Sequence, residues 1–281
     1  DVGAAWDVER LPAEPGRDAE QILTAARSGE IGGLVVGGLD PADLPDPAAA
    51  RAALEAVGFL VSLEVRTSAV TELADVVLPV APPVEKAGTF LNWEGRPRPF
   101  PQALTSTSMA DHRVLDALAD AMEVQLGLRT VTEVHAEIDQ LGGWDGGRVA
   151  APAVAAVEPP ALEAGQAVLA TWHLLLDAGR CQEGEAFLAG TSQRPVARVS
   201  PAHAQRLGIT SGQGVTVRTA QGQVTLPVAV TPMADGVVWL PTNSVGSAVR
   251  RTLGADAGAV VEVAAASTVT TATTADDGGT L

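Results

Sequence analysis

Residues 74–96 read ADVVLPVAPPVEKAGTFLNWEGR, and the reading of this stretch decides the fold of the first half of the chain. Val76-Val77-Leu78 has the length and composition of a short buried strand. Pro79, Pro82 and Pro83 then interrupt regular structure. The rest is polar and punctuated by glycine, and it carries Glu85, Asn92, Glu94 and Arg96. Passages of this kind often cradle a cofactor, so the question is whether this one keeps the chemistry or only the shape.

Upstream, helix and strand signals alternate. Asp18 reads as an N-cap with Gln21 at N3, followed by Ile22, Leu23 and Ala26 on one face and Gly29 as the stop. Gly33 to Gly37 reads as a short buried strand. Asp46-Pro47 is a cap-and-N1 pair for a helix to Val57, with Gly58 past its end. Phe59 to Val65 and Val76 to Val80 follow as strands. This alternation predicts a parallel sheet covered on both faces. Three strands make a thin sheet, so further strands are expected before Asp1. The start Asp1-Val2-Gly3 has no methionine and no signal-peptide core, and it reads as a cut through a larger polypeptide.

Downstream, Val114, Leu115, Leu118, Ala121 and Met122 repeat at helical spacing between about Met109 and Leu126. Thr130-x-x-Glu133 is a capping box for a helix through Leu141, ended by Gly142-Gly143. Residues 146–166 are rich in alanine and proline and read as a linker or extended crossover. From Ala167 the texture is β. The apolar run Trp172-His173-Leu174-Leu175-Leu176 reads as strand-sized or as a short buried segment. Ser200-Pro201 caps a short helix stopped by Gly208. Val215-Thr216-Val217 and Val224-Thr225-Leu226 flank Ala220-Gln221-Gly222 as a hairpin. Val228 to Val230, Val237 to Leu240 and Val260 to Val263 complete a set of short strands that predicts a small closed barrel. The domain reading is 1–145 for the α/β part, 146–166 for the linker, 167–264 for the barrel and 265–281 for a disordered tail.

Composition narrows the function classes. The 281 residues suffice for two domains, and 46 % apolar content suits a globular chain. Tyrosine is absent and aromatics are 3 %, so the cores must be built from Ala, Val and Leu. A net charge of −16 repels phosphate backbones and anionic lipid, which argues against nucleic-acid partners. No apolar run reaches membrane-spanning length, so direct membrane insertion is not expected. The single cysteine, Cys181, cannot form an internal disulfide or ligate an iron–sulfur cluster alone.

Candidate chemistry is thin. His112, His135, His173 and His203 lie far apart without metal-ligand spacing and read as surface or satisfied histidines. Cys181 has only Arg180 as a basic neighbour and reads as an ordinary thiol. There is no phosphate-loop motif and no nucleophile elbow, and Gly32-Gly33 and Gly37-Gly38 do not make a dinucleotide fingerprint. No catalytic residue and no metal site is assigned.

Residues 71–96 also carry a family likeness. Thr71-Glu72-Leu73-Ala74-Asp75-Val76-Val77-Leu78-Pro79, then Glu85, Gly88-Thr89, Asn92 and Glu94-Gly95-Arg96, resembles the molybdopterin oxidoreductase superfamily. Ser200-Pro201-x-x-Ala204-x-x-Leu207-Gly208-Ile209, Gly212-x-Gly214-Val215-x-Val217 and Gly236-Val237-Val238-x-Leu240-Pro241 are similar to that superfamily's C-terminal dinucleotide-binding domain. The resemblance implies an α/β fold: a partial Rossmann-like domain followed by a double-psi β-barrel. More narrowly, Thr171 to Gly179, Phe187 to Thr191 and Leu240 to Ser244 resemble the large iron–sulfur subunits of bacterial NADH:quinone oxidoreductase, respiratory complex I. The Ala-, Arg- and Val-rich dialect has an actinobacterial look.

That narrower resemblance implies a non-catalytic scaffold portion of an NADH dehydrogenase. The iron–sulfur clusters would lie in an N-terminal portion, and the partners would be other peripheral-arm subunits on the cytoplasmic side of the plasma membrane. It implies no cofactor in this segment, with Glu85, Gly88, Thr89, Asn92, Gly95 and Arg96 as a vestigial cleft motif. The physical reading agrees: a pterin dinucleotide needs phosphate-binding cations, and residues 74–96 offer only Lys86 and Arg96 beside Glu85 and Glu94. Gly88, Gly95 and Asn92 are read as turn geometry, with positive φ plausible at both glycines. The rival reading is the cofactor-binding half of a molybdenum enzyme such as a formate dehydrogenase. A stand-alone binding module is a third.

Overall fold

A computed structural model describes residues 2–143, 146–147, 150–151, 153–154 and 158–266. It divides into two compact units near residue 153, with residues 42–47 grouped with the second. Part of the expected linker, and the expected tail beyond Ala266, lie outside the described residues.

The first unit is built on α1 (Val2–Ala5), α2 (Ala19–Arg27), β1 (Leu34–Gly37), α3 (Pro47–Ala56), β2 (Leu60–Glu64) and β3 (Val76–Pro79). The strands form a three-stranded parallel sheet in the order β1-β2-β3. The α2 capping box is present in both directions, Asp18 with the Gln21 N–H and Gln21 with the Asp18 N–H. β2 is the central strand, and its Leu60, Val61, Ser62 and Leu63 are all buried. Asp75 sets the register at one end: its carboxylate accepts the Leu60 N–H at 2.7 Å while its own N–H donates to the Leu60 carbonyl.

Contrary to the expectation from their sequence, Val76 and Val77 do not form a buried strand. They are 38 % and 42 % exposed, because β3 is an edge of the sheet and is covered less than β2. A run of valines reports strand propensity, whereas burial depends on what packs against it.

The passage after β3 returns as a two-stranded hairpin, β4 (Gly88–Leu91) antiparallel to β5 (Pro97–Phe100). α4 (Asp111–Ala121) and α5 (Val131–Leu141) follow. α4 is shorter than the periodicity suggests, since Glu123 takes φ +63° and ends it. The Thr130–Glu133 capping box opens α5 as expected. Asp116, buried on α4, accepts the Leu128 N–H at 3.0 Å and the Arg129 Nε at 3.3 Å, which fixes the turn between the two helices.

The second unit contains β6 (Gln166–Trp172), α6 (Ala186–Ala189), β7 (Ala197–Val199), α7 (Pro201–Leu207), β8 (Gly214–Arg218), β9 (Gln223–Val230), β10 (Val237–Pro241), β11 (Asn243–Ser244), β12 (Ser247–Ala248), α8 (Val249–Leu253) and β13 (Val260–Ala265). Six of these strands close a barrel in the order β10-β6-β13-β8-β9-β7. The pairs β10–β6 and β7–β9 are parallel, and the remaining pairs are antiparallel. The β8–β9 hairpin forms as its alternation predicts. The separate strand expected at Val228–Val230 is instead the end of β9, which continues through Pro227. β13 runs one residue into the segment assigned to the tail.

The barrel interior is a single core from Ala167 through Val263, including Leu169, Val199, Val217, Val238 and Leu240, with almost no exposed surface. The run after β6 departs from expectation. Trp172, the last residue of β6, is 67 % exposed, and Leu175 beyond it is 92 % exposed, so the strand ends at Trp172 and the leucine run after it is neither strand nor core. Among the described residues no helix is long and apolar enough to cross a membrane.

Candidate functional site

The passage 85–96 closes on itself. Asn92 sits at the tip of the β4–β5 hairpin, where its Oδ1 accepts the N–H groups of Glu94 at 3.1 Å and Arg96 at 2.8 Å. The Gly95 N–H donates to the Asn92 carbonyl, and the Asn92 N–H to the Arg96 carbonyl. Gly95 has φ +76°, a conformation that glycine adopts without a Cβ penalty. Arg96 pairs with Glu94 at 2.9 Å, and Lys86 donates to Asp111. Thr89 Oγ1 lies 3.0 Å from His135 Nε2 on α5, and Glu85 ends a single turn of 3₁₀ helix. Gly88 is not at positive φ, contrary to expectation. Its constraint is steric, since a Cβ there would lie 2.7 Å from the Phe100 ring. The turn reading of Asn92 and Gly95 matches this geometry.

A second cluster, in the barrel unit, does not stand out in the sequence. Ser200 caps α7 by accepting the His203 N–H at 3.0 Å and donates its hydroxyl to Asp235 at 2.7 Å. Arg206, about a turn and a half of helix further on, grips the same carboxylate with two hydrogen bonds of 2.7 and 2.8 Å. The Arg206 bonds, then the Ser200 bond, hold the Asp235 carboxyl well below the usual carboxylate range. Asp235 begins the turn into β10, so the cluster ties α7 to that strand. His203 is 3 % exposed and its Nδ1 has no hydrogen-bond partner, a correction to the reading of every histidine as surface or satisfied. Burial, and then the nearby Arg206 charge, lower its pKa. A cleft of about 490 Å³ lies beside these groups, bordered also by Glu163 and Gln166. The only sequence signal was the Ser200/His203/Arg206 spacing, which places these residues at the N-cap, third and sixth positions of a helix; nothing in the sequence linked it to Asp235.

The other sequence candidates stay apart. His112 lies on α4 with a buried, unpartnered Nε2, and His173 stacks on Trp172 with ring centroids 4.7 Å apart. Cys181 is exposed and free. Among the described residues no three His, Cys, Asp or Glu side chains are grouped to hold a metal ion.

Comparison with known proteins places this geometry in a family. The Molybdopterin oxidoreductase family model matches residues 2–120, and the Molydopterin dinucleotide binding domain matches residues 178–277. The chain belongs to the molybdopterin oxidoreductase superfamily, and its barrel corresponds to the double-psi barrel of that fold. Within the superfamily it is homologous to NuoG, a subunit of NADH-quinone oxidoreductase. It is 53 % identical to the NuoG protein of Mycobacterium bovis over 95 % of this chain and 34 % of the relative. It is 49 % identical to that of Streptomyces coelicolor over 94 % of this chain and 32 % of the relative. The chain thus spans about a third of the length of these actinobacterial relatives. A putative formate dehydrogenase of Staphylococcus haemolyticus is 32 % identical over only 47 % of the chain. Acetylene hydratase from Pelobacter acetylenicus shares the fold, with a TM-score of 0.54 over 79 % of this chain and 39 % of that one at 17 % identity.

The fold family implies a pterin dinucleotide, and several of the cations that could meet its phosphates are already engaged. Its phosphates require cationic or N–H donors turned towards them. In the passage 85–96, Lys86 and Arg96 are both engaged with carboxylates, and the Asn92 amide oxygen is filled by backbone N–H groups. In the barrel, Arg206 is held by Asp235, Arg250 by Asp256, and Arg198 lies over the Trp239 ring.

Proposed function

We propose that this chain is a non-catalytic scaffold portion of NuoG, the iron–sulfur electron-transfer subunit of NADH:quinone oxidoreductase, respiratory complex I. In this reading it carries no cofactor. The iron–sulfur clusters lie elsewhere in the subunit, and other peripheral-arm subunits on the cytoplasmic side of the membrane are its partners. Electron transfer depends on the spacing of redox centres, so a rigid support has a function even without local chemistry. The observation that carries the reading is 53 % identity to a NuoG protein along 95 % of the chain. The self-contained hairpin at Asn92 supports the absence of chemistry, because residues of the cleft motif bond to one another.

The test is made in the whole complex. Cys181→Ser and His→Gln at 112, 135, 173 and 203 are each expected to leave NADH:quinone activity per assembled complex unchanged, whereas deletion of 167–263 abolishes assembly. Loss of turnover in an assembled complex carrying any one substitution would overturn the scaffold reading. The partial match to a formate dehydrogenase supports the weaker alternative, a molybdenum-enzyme half. Molybdenum and pterin at one equivalent in the intact polypeptide would favour it.

A further inference from the structure

Three aspartates in the chain are followed by glycine, at 145–146, 235–236 and 277–278, and only Asp235–Gly236 lies wholly within the described residues. An aspartate before glycine is a chemically weak point, because no Cβ shields the glycine nitrogen. That nitrogen can attack the side-chain carboxyl carbon. A C–N bond forms, the carboxyl C–OH bond breaks, and the hydroxyl leaves as water with the amide proton. The product is a five-membered succinimide. Water then opens it at the former main-chain carbonyl, and the chain continues through the side-chain carbon as isoaspartate. No electron is gained or lost. The first step needs a protonated carboxyl group, since a carboxylate has no hydroxyl to lose.

The fold requires both residues. Gly236 has φ +72°, and a Cβ there would also lie 3.0 Å from Leu162 Cδ1. Asp235 ties α7 to the turn into β10 through Ser200 and Arg206. A bulkier neighbour could not shield the link without strain, and the Asp235 side chain is half exposed to water. Its surroundings oppose the reaction in two ways. Oδ1 accepts from Ser200 at 2.7 Å and from Arg206 at 2.8 Å, and Oδ2 accepts from Arg206 at 2.7 Å. The forked guanidinium thus fixes the plane of the carboxylate, and Cγ is not free to turn towards the Gly236 nitrogen. The Arg206 bonds, then the Ser200 bond, also keep the group ionised far below the usual carboxylate range.

We propose that Asp235 is a latent isoaspartate site and that Ser200 and Arg206 guard it. While both hold the carboxylate, the Asp235–Gly236 link is durable; once they let go, Asp235 is the residue that reacts. The product does not fit the same contacts. Isoaspartate adds a carbon to the main chain at the entrance to β10 and leaves the carboxylate one carbon nearer the backbone, so Ser200 and Arg206 no longer meet it as before. Isomerisation therefore releases α7 from that turn. This holds whatever part the chain plays in a larger complex.

The experiment ages the full-length subunit in mildly acidic buffer and quantifies isoaspartate at position 235 by peptide mapping, with electron-transfer fragmentation to separate the isomers. The folded wild type is expected to isomerise there at least about tenfold more slowly than the same chain unfolded in urea. Arg206→Met keeps the apolar stem and removes the fork, at a side chain more than half exposed. It is expected to raise the folded-state rate about tenfold or more, since each pKa unit regained multiplies the protonated fraction by about ten. Ala204→Gly loosens α7 at a buried position without touching the carboxylate, and should leave the rate at the wild-type level. An unchanged rate in Arg206→Met overturns the proposal. So does an equal rise in Ala204→Gly, which would assign the protection to helix order alone, or a folded wild type that isomerises as fast as the chain in urea.

Discussion

The closed barrel and the open three-stranded sheet use the same small aliphatic residues to different effect. Among the described residues the barrel gathers 17 buried side chains into one continuous core, whereas the sheet divides its own between a cluster of seven and a cluster of four. Closure explains the difference. A barrel has no edge strand and one interior, so every inward side chain meets the others. An open sheet has two faces and two edges, and β1 and β3 leave Val35, Val76 and Val77 more than a third exposed. With almost no aromatics to fill space, topology sets how much apolar surface alanine, valine and leucine can hide.

The largest effect that could break this comparison is a matched pair of core truncations. Leu240→Ala, at a fully buried site in the barrel core, is expected to cost about 4 kcal/mol; Leu63→Ala, in the smallest sheet cluster, is expected to cost about 2 kcal/mol. The smaller cluster can collapse towards the gap, and the closed barrel cannot. Chemical denaturation followed separately in each unit gives both values. Equal losses would show that closure does not stiffen the core.

Next in size is the hairpin at the tip of the cleft motif, where two glycines are required for different reasons. Gly95→Ala is expected to cost about 1 kcal/mol through its positive φ. Gly88→Ala should cost a similar amount through the Phe100 ring. Adding Phe100→Leu should recover most of the Gly88→Ala loss and none of the Gly95→Ala loss. A double-mutant cycle measures this, and recovery at both sites would refute the assignment.

The smallest effects are in pH dependence, and they sharpen the description of the barrel cluster. Asp235 has a depressed folded-state pKa, so its contribution is present above the ordinary aspartate value of about 3.9 and is lost as pH falls below it. The gap in thermal midpoint between wild type and Asp235→Asn should therefore be constant from pH 7 to about 5 and then narrow. His203 is also depressed, so the folded state favours the neutral ring. As pH falls through about 6.5 the unfolded chain takes up the proton first, and stability declines. His203→Leu should abolish that decline, and a wild-type midpoint flat between pH 7 and 5 would contradict it.

Much of the local structure was legible. The capping boxes at Asp18 and Thr130, the Ser200-Pro201 start of α7 and the β8–β9 hairpin all depend on chemistry between residues close together in the chain. The Asn92–Gly95 turn belongs with them, and so the cleft motif could be read as turn geometry. The exposure of Val76, Val77, Trp172 and Leu175, the steric role of Gly88 and the unpartnered Nδ1 of His203 were not legible.

The sequence by itself determined the order of helices and strands, the composition of the cores and the turn chemistry of the cleft passage, because each of these is set by neighbours along the chain. Only the tertiary structure decided which strands lie at an edge, which apolar run faces water, and that Asp235 meets Ser200 and Arg206 from about thirty residues away. Burial and long-range pairing depend on what folds back against a segment, and local hydrophobicity carries no record of that.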